Sequence, residues 1–207
     1  MSEVIKWRPI IEGVTTNPSI LLKEGGDVVA LAKELAPLPV SIEAVGDFET
    51  DARKYAKISS NVAVKIPLLR PDKGDNLMLI HKLAAEGVSI NCTALFSLSQ
   101  VILATKAGAR YVSLFAGRVD DEGGDYMSMI ADCMEFLDAD FDESHPTELI
   151  IGSIRTVGNF MDAVRAGADI VTVPPAILEK MVDHRFSRAT VQQFENDAKK
   201  LKLDGTA

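Results

Sequence analysis

Short apolar runs recur along the chain and alternate with longer stretches whose apolar positions follow a helical period. The short runs centre on Val14, Ile42, Val64, Ile90, Ser113, Ile150 and Val171, between 21 and 37 residues apart. That spacing fits one strand, one helix and two short loops in a parallel arrangement. Between them the periodicity predicts helices over 27–35, 50–59, 76–86, 97–107, 126–137 and 157–166. Gly87, Gly108 and Gly167 each follow such a stretch, where a left-handed residue ends a helix. No linker or low-complexity segment interrupts the rhythm, so residues 1–207 are expected to form a single α/β domain.

Side-chain parity separates an open sheet from a barrel. Alternate residues of a strand share a face. Ser41 and Glu43 share one, as do Ala63 and Lys65, then Ser89, Asn91 and Thr93. Ser113 with Phe115, and Ser153 with Arg155, extend the pattern. The opposite rows read Ile42/Ala44, Val62/Val64/Ile66, Val88/Ile90/Cys92, Val112/Leu114 and Ile150/Gly152/Ile154. One apolar face per strand belongs under helices, and the other gathers polar groups toward each strand's C-terminal end, as at a barrel mouth. No G-x-G-x-x-G or Walker pattern marks a doubly wound nucleotide fold. The expectation is a (β/α)8 barrel that shows only seven of its strands.

Composition narrows the partners. The chain carries 30 acidic and 22 basic residues, a net charge of −8, which argues against a nucleic-acid or anionic-membrane footprint. No apolar run nears the roughly 18 residues of a membrane span. The N-terminus, Met1 to Trp7, lacks the pattern of a signal peptide. Two cysteines, Cys92 and Cys133, and three dispersed histidines, His81, His145 and His184, outline neither a disulfide framework nor a zinc site. These features predict a soluble cytoplasmic protein without a structural metal. The acidic run from Asp120 to Asp125 lacks EF-hand spacing and reads as a flexible, solvated loop.

The chemistry-bearing candidates fall into two groups. Lys65 interrupts the apolar run Asn61 to Pro67. It is either a lysine that snorkels from a strand end or an amine whose pKa is lowered by burial for imine chemistry. Glu43, Asn91 and Thr93 share its face on neighbouring strands. A carboxylate there can move protons directly or through a water held by the threonine, and an amide can hold a substrate hydroxyl. Arg118, Ser153 and Arg155 form the second group. They read either as local ion pairs or as an anion site near the last strands and the start of a helix.

In Gly13-Val14-Thr15-Thr16-Asn17-Pro18-Ser19, Val64-Lys65-Ile66-Pro67, Asn91-Cys92-Thr93, Phe115-Ala116-Gly117-Arg118-Val119-Asp120 and Ser153-Ile154-Arg155 the chain resembles the transaldolase family, in its small subgroup that includes fructose 6-phosphate aldolase. The resemblance runs from about Ser2 to the C-terminal helix and implies a (β/α)8 barrel. It further implies that Lys65 forms a Schiff base with a ketose phosphate while Glu43 and Thr93 act as an acid/base pair through water. By the same likeness Asn17 and Asn91 hold substrate hydroxyls, Thr15, Ser113 and Phe115 line the pocket, and Arg118, Ser153 and Arg155 bind phosphate. Glu43 and Phe115 stand where the aldolases carry glutamine and tyrosine, so transfer is expected over simple cleavage. The alternatives are an aldolase or an impaired barrel that only binds sugar phosphates.

The family begins with a strand bearing an Asp-Thr-Ala-like motif. Here Ser2 to Trp7 resembles the helix that follows that strand, so either the natural protein starts upstream or the barrel lacks one strand and its carboxylate. A final helix is expected over about 187–201, with Val191, Phe194, Ala198 and Leu201 on one stripe. The resemblance implies that it packs on a neighbouring subunit of a homo-oligomer, a pentamer or decamer.

Overall fold

The computed structural model describes residues 2–144 and 146–201. His145 and the last six positions lie outside the described residues. The elements run α1 (Ser2–Trp7), β1 (Val14–Thr15), α2 (Pro18–Glu24), α3 (Val28–Leu35), β2 (Val40–Glu43), α4 (Phe48–Tyr55), β3 (Val62–Pro67), α5 (Leu77–Ala85) and β4 (Ile90–Leu95). They continue with α6 (Leu98–Lys106), β5 (Tyr111–Phe115), α7 (Ala116–Asp121), α8 (Tyr126–Ala139), β6 (Glu148–Gly152), α9 (Val157–Arg165), β7 (Ile170–Val171), α10 (Pro175–Val182) and α11 (Arg185–Lys200).

All seven strands are parallel and neighbour one another in chain order, from β1 to β7. The sheet curls until its two ends approach. Thr15 Oγ1 at the end of β1 and Thr172 Oγ1 just past β7 are 2.8 Å apart. Outside them, Lys6 on α1 donates to Glu179 on α10 at 2.9 Å. Among the described residues no strand fills the space between β1 and β7. The architecture is therefore a (β/α)8 barrel lacking its first strand: the parity of the polar rows predicts the barrel, and the family resemblance predicts which strand is missing.

Helix starts follow local chemistry. Asn17, Asp27, Asp47, Ser97, Asp125 and Thr156 each accept a backbone N–H of the first turn through their side chains. Such caps hold donors that have no intrahelical partner. Gly87, Gly108 and Gly167 end α5, α6 and α9 with φ of 84°, 92° and 92°, as expected at those glycines. The helix predicted over 50–59 instead spans Phe48–Tyr55, because Asp47 captures Thr50 N and starts the helix early.

The main core lies between the outer face of the sheet and the helices. Ile42, Val64, Ile66, Ile90, Cys92, Val112 and Leu114 are buried there against Leu35, Leu83, Val101 and Ile130. Cys92 is thus packed as a small hydrophobe, and burial pushes its thiol up to about 12.

Three expectations need correction. First, Ile150 and Gly152 do not face the helices: β6 pairs Ser113 with Ile150 and Phe115 with Gly152, which places them in the interior row. Leu149 and Ile151 pack outward in the core cluster. An apolar pair on both sides of a strand hides its parity. Second, Ser153 and Arg155 lie beyond the end of β6, since Ser153 adopts φ 63° and breaks the extended run. Third, the acidic run is largely structured. Asp120 and Asp121 belong to α7, and Asp125 accepts Ser128 N at 3.0 Å as the cap of α8.

Ile151 has no solvent exposure, so Ile151→Ala is expected to cost about 2–5 kcal/mol of folding stability. Urea unfolding of the two proteins checks this.

Candidate active site

Registry in the sheet dictates which polar groups meet. Glu43 pairs with Lys65 across β2 and β3, and Lys65 pairs with Asn91 across β3 and β4. Paired residues of parallel strands point to the same face, so three polar side chains converge on the inside of the curl. Lys65 is only 4% exposed. Its Nζ donates to the Thr16 carbonyl at 3.0 Å and lies 3.3 Å from Glu43 Oε2. Thr16 is itself anchored, its hydroxyl donating to the Ser41 carbonyl at 2.7 Å. The sequence row singles out Lys65 and Glu43 but gives no sign of Thr16, because a backbone carbonyl leaves no mark in residue type.

Burial pushes the Lys65 pKa below its ordinary value, and the Glu43 carboxylate only partly opposes that shift. A lysine so placed reaches its neutral, nucleophilic amine more readily than a solvated one. The snorkelling alternative fails on geometry, since the ammonium ends inside the curl on a carbonyl and a carboxylate rather than in water.

Asn91 is fully buried and joins two strands sideways. It donates to Ser41 Oγ at 3.0 Å and accepts from Ser113 Oγ at 2.7 Å. These bonds fix the amide orientation and leave one N–H free for a ligand. Thr93, two residues on, is buried, and among the described residues its hydroxyl has no hydrogen-bond partner. An orphaned buried hydroxyl is costly unless water or a ligand meets it. Immediately after it, Ala94 takes φ 60° and the β4–β5 register shifts, so Thr93 ends the regular ladder at the mouth.

The remaining candidates surround this centre. Thr15 reaches the interior and shares its hydrogen bond with Thr172, a residue the sequence pattern does not mark. Asn17 caps α2, its Oδ1 accepting Ile20 N at 2.8 Å, and its amide N–H groups face no acceptor in that cap. Phe115 packs edge to face against Phe96, with ring centroids 5.7 Å apart, and the Arg118 guanidinium lies 5.5 Å from its ring. Phe96 thus joins the rim, unforeseen because a lone aromatic after a strand carries no motif.

Arg118, Ser153 and Arg155 are brought to one corner by close backbone packing. A Cβ on Gly117 would fall 2.0 Å from the Ser153 carbonyl oxygen, so only glycine lets α7 approach the β6–α9 connection. Arg155 does not wait free in solvent: both of its terminal nitrogens meet the Asp121 carboxylate, Nη2 at 2.6 Å from Oδ2. The helix α9 begins directly after it, capped by Thr156. Of the histidines, His81 lines a separate cleft of about 450 Å³ with Thr105, Lys106 and Asp140. That cleft adjoins Gly108 and Thr147, ahead of β5 and β6, at the opposite end of the sheet.

The sequence profile of the family described as Transaldolase/Fructose-6-phosphate aldolase matches residues 1–206. The chain belongs to this family. Among relatives, a probable transaldolase of Paracoccus denitrificans is 39% identical over 91% of this chain and 87% of its own length. One from Thermodesulfovibrio yellowstonii is 40% identical over 93% of this chain and 90% of its own. One from Symbiobacterium thermophilum is 35% identical over 94% of this chain and 90% of its own. Membership of the transaldolase/aldolase family supports an enzyme of the transaldolase or aldolase type acting on sugar phosphates. Among the described residues no helix is long and apolar enough to cross a membrane.

The lowered Lys65 pKa has a consequence for stability. Between the folded value and the ordinary lysine value of about 10.4 the unfolded chain binds more protons at this position. Stability therefore rises with pH across that window and the burial penalty is full below it. The unfolding free energy of the wild type, compared with Lys65→Met from pH 7 to pH 10, is expected to gain on the variant as pH rises.

Proposed function

We propose that the protein is a transaldolase, transferring a dihydroxyacetone unit from a ketose phosphate such as fructose 6-phosphate or sedoheptulose 7-phosphate to an aldose phosphate. The observation that carries this reading is Lys65, buried with a depressed pKa and 3.3 Å from Glu43. In this mechanism the neutral Lys65 amine adds to the ketose C2 carbonyl. Loss of water, with proton transfers handled by Glu43 and a water on the Thr93 hydroxyl, leaves a protonated imine. Glu43 then takes the C4 hydroxyl proton through that water. The C3–C4 bond breaks, its electron pair neutralises the imine as an enamine, and the aldose phosphate departs. The enamine carbon attacks the aldehyde of the acceptor, the new alkoxide regains the proton, and water releases the product from Lys65. The protonated imine is the electron sink, so neither a metal nor an organic cofactor is called for.

Asn17 and Asn91 use their free amide N–H groups on substrate hydroxyls, Thr15, Ser113 and Phe115 shape the pocket, and Arg118, Ser153 and Arg155 receive the phosphate. Phe115 and Glu43 favour transfer over release of free dihydroxyacetone, because a phenyl ring offers no hydroxyl to guide water or a proton to the enamine. The partners are thus sugar phosphates, in the cytoplasm. The exposed apolar face of α11, with Phe186, Val191 and Phe194, suits packing on a second copy of the chain within a pentamer or decamer.

Borohydride reduction in the presence of fructose 6-phosphate, followed by peptide mass spectrometry, is expected to leave a stable adduct on Lys65. In the same preparation, transfer to erythrose 4-phosphate should exceed dihydroxyacetone release by at least about tenfold, a difference of about 1.4 kcal/mol in barrier. A folded protein without the adduct would leave only a sugar-phosphate-binding barrel, and comparable rates would make it an aldolase. Light scattering is expected to show a mass several times that of one chain, and Phe194→Asp to reduce it.

A further inference from the structure

We propose that Asp121 is a positioning residue of the phosphate corner, holding the Arg155 guanidinium in the orientation that receives the substrate's phosphate and thereby setting the preference for phosphorylated over neutral sugars. The inference deepens the function proposed above and rests on the phosphate role given there to Arg118, Ser153 and Arg155.

Asp121 ends α7, one helical turn after Arg118. Its two oxygens each take one terminal nitrogen of Arg155, 34 residues away on the β6–α9 connection. A fork-to-fork pair of this kind fixes both position and plane of the guanidinium. A guanidinium carries five N–H donors. End-on engagement consumes two, so Nε–H and the outward bonds of the two terminal nitrogens remain for an incoming anion. Arg155 and Asp121 keep about half of their side-chain surfaces exposed, 51% and 47%, so those donors stay reachable. The mount is rigid, because Gly117 lets α7 press against the Ser153 carbonyl and any larger residue would push it away.

The hydrogen bonds from Arg155 hold the Asp121 carboxyl below the usual carboxylate range, and the charge of Arg118 adds a smaller pull in the same direction. A free arginine side chain must surrender rotamer freedom when it binds a ligand. Held by Asp121, Arg155 has already given up most of it, which is pre-organisation in the ordinary sense. The charge of Asp120 also acts on Arg155, so two carboxylates offset the two arginines, and the corner's hold on a phosphate rests on its directed N–H donors rather than on net charge. Neither composition nor the strand pattern reveals the arrangement, since the acidic run reads as solvated loop until α7 places its second aspartate opposite Arg155.

The test uses the intact chain and inorganic phosphate as probe. Calorimetric titration of Asp121→Asn and Asp121→Ala is expected to show phosphate bound about fivefold more weakly than by the parent, the scale of one exposed ion pair. With erythrose 4-phosphate as acceptor, KM should rise by the same factor while kcat at saturation holds. With the donor ketose phosphate saturating and unphosphorylated erythrose as acceptor, the KM for erythrose and kcat should stay at the parent's values. In an Arg155→Ala background, replacing Asp121 should have no further effect on phosphate binding. Phosphate affinity that is unchanged or tighter in either Asp121 variant overturns the inference, as does an effect that persists without Arg155, or a parent that binds no phosphate. Failure of the proposed transfer chemistry shows separately, as a missing Lys65 adduct, while the phosphate titration remains readable.

Discussion

Everything at the centre of this molecule answers to one constraint, the burial of the Lys65 ammonium inside the curled sheet. A charged amine removed from water is stabilised only by partners that replace its hydration. Here the partners are the Thr16 carbonyl at 3.0 Å and the Glu43 carboxylate at 3.3 Å. They come from two other segments, the end of β1 and the end of β2, so satisfying one lysine ties three consecutive strand ends together. The bonds from Asn91 to Ser41 and from Ser113 to Asn91 extend that tie to β4 and β5.

The arrangement separates two tasks. Deep in the curl, polar side chains bond to one another, and the low dielectric strengthens each bond as long as every group is partnered. Other groups are left incomplete: among the described residues the buried Thr93 hydroxyl has no partner, and the half-exposed Arg155 retains donors beyond those that meet Asp121. The partnered groups give a fixed scaffold, and the incomplete ones mark the candidate site. Left-handed residues mark the passage from one to the other, with Ala94 at φ 60° near the end of β4 and Ser153 at φ 63° after β6.

Across the gap between β1 and β7 the two ends of the sheet are joined through side chains. Thr15 meets Thr172 on the inside and Lys6 meets Glu179 on the outside. Exposed strand edges invite further pairing, and in a barrel that pairing would otherwise be internal. The contact of Lys6 and Glu179 is about half exposed on both sides, so it contributes at most about 1 kcal/mol. The curl is therefore held chiefly by the core beneath the helices and by the polar cross-links around Lys65.

The parallel strand and helix rhythm, the helix-ending glycines Gly87, Gly108 and Gly167, and the facing of Lys65, Glu43 and Asn91 could all be read from residue order. Period and parity are local properties, and helix ends need only a few neighbouring residues. Parity failed at β6, where apolar residues on both faces erase the alternation and Ile150 and Gly152 turn inward. What the order of residues could not show were partners contributed by distant backbone or by unpatterned side chains. The Thr16 carbonyl under Lys65, Thr172 beside Thr15, Phe96 against Phe115 and Asp121 clasping Arg155 all belong to this class. Their positions depend on how far the sheet curls and how closely α7 approaches Ser153, and those distances exist only once the whole core has packed.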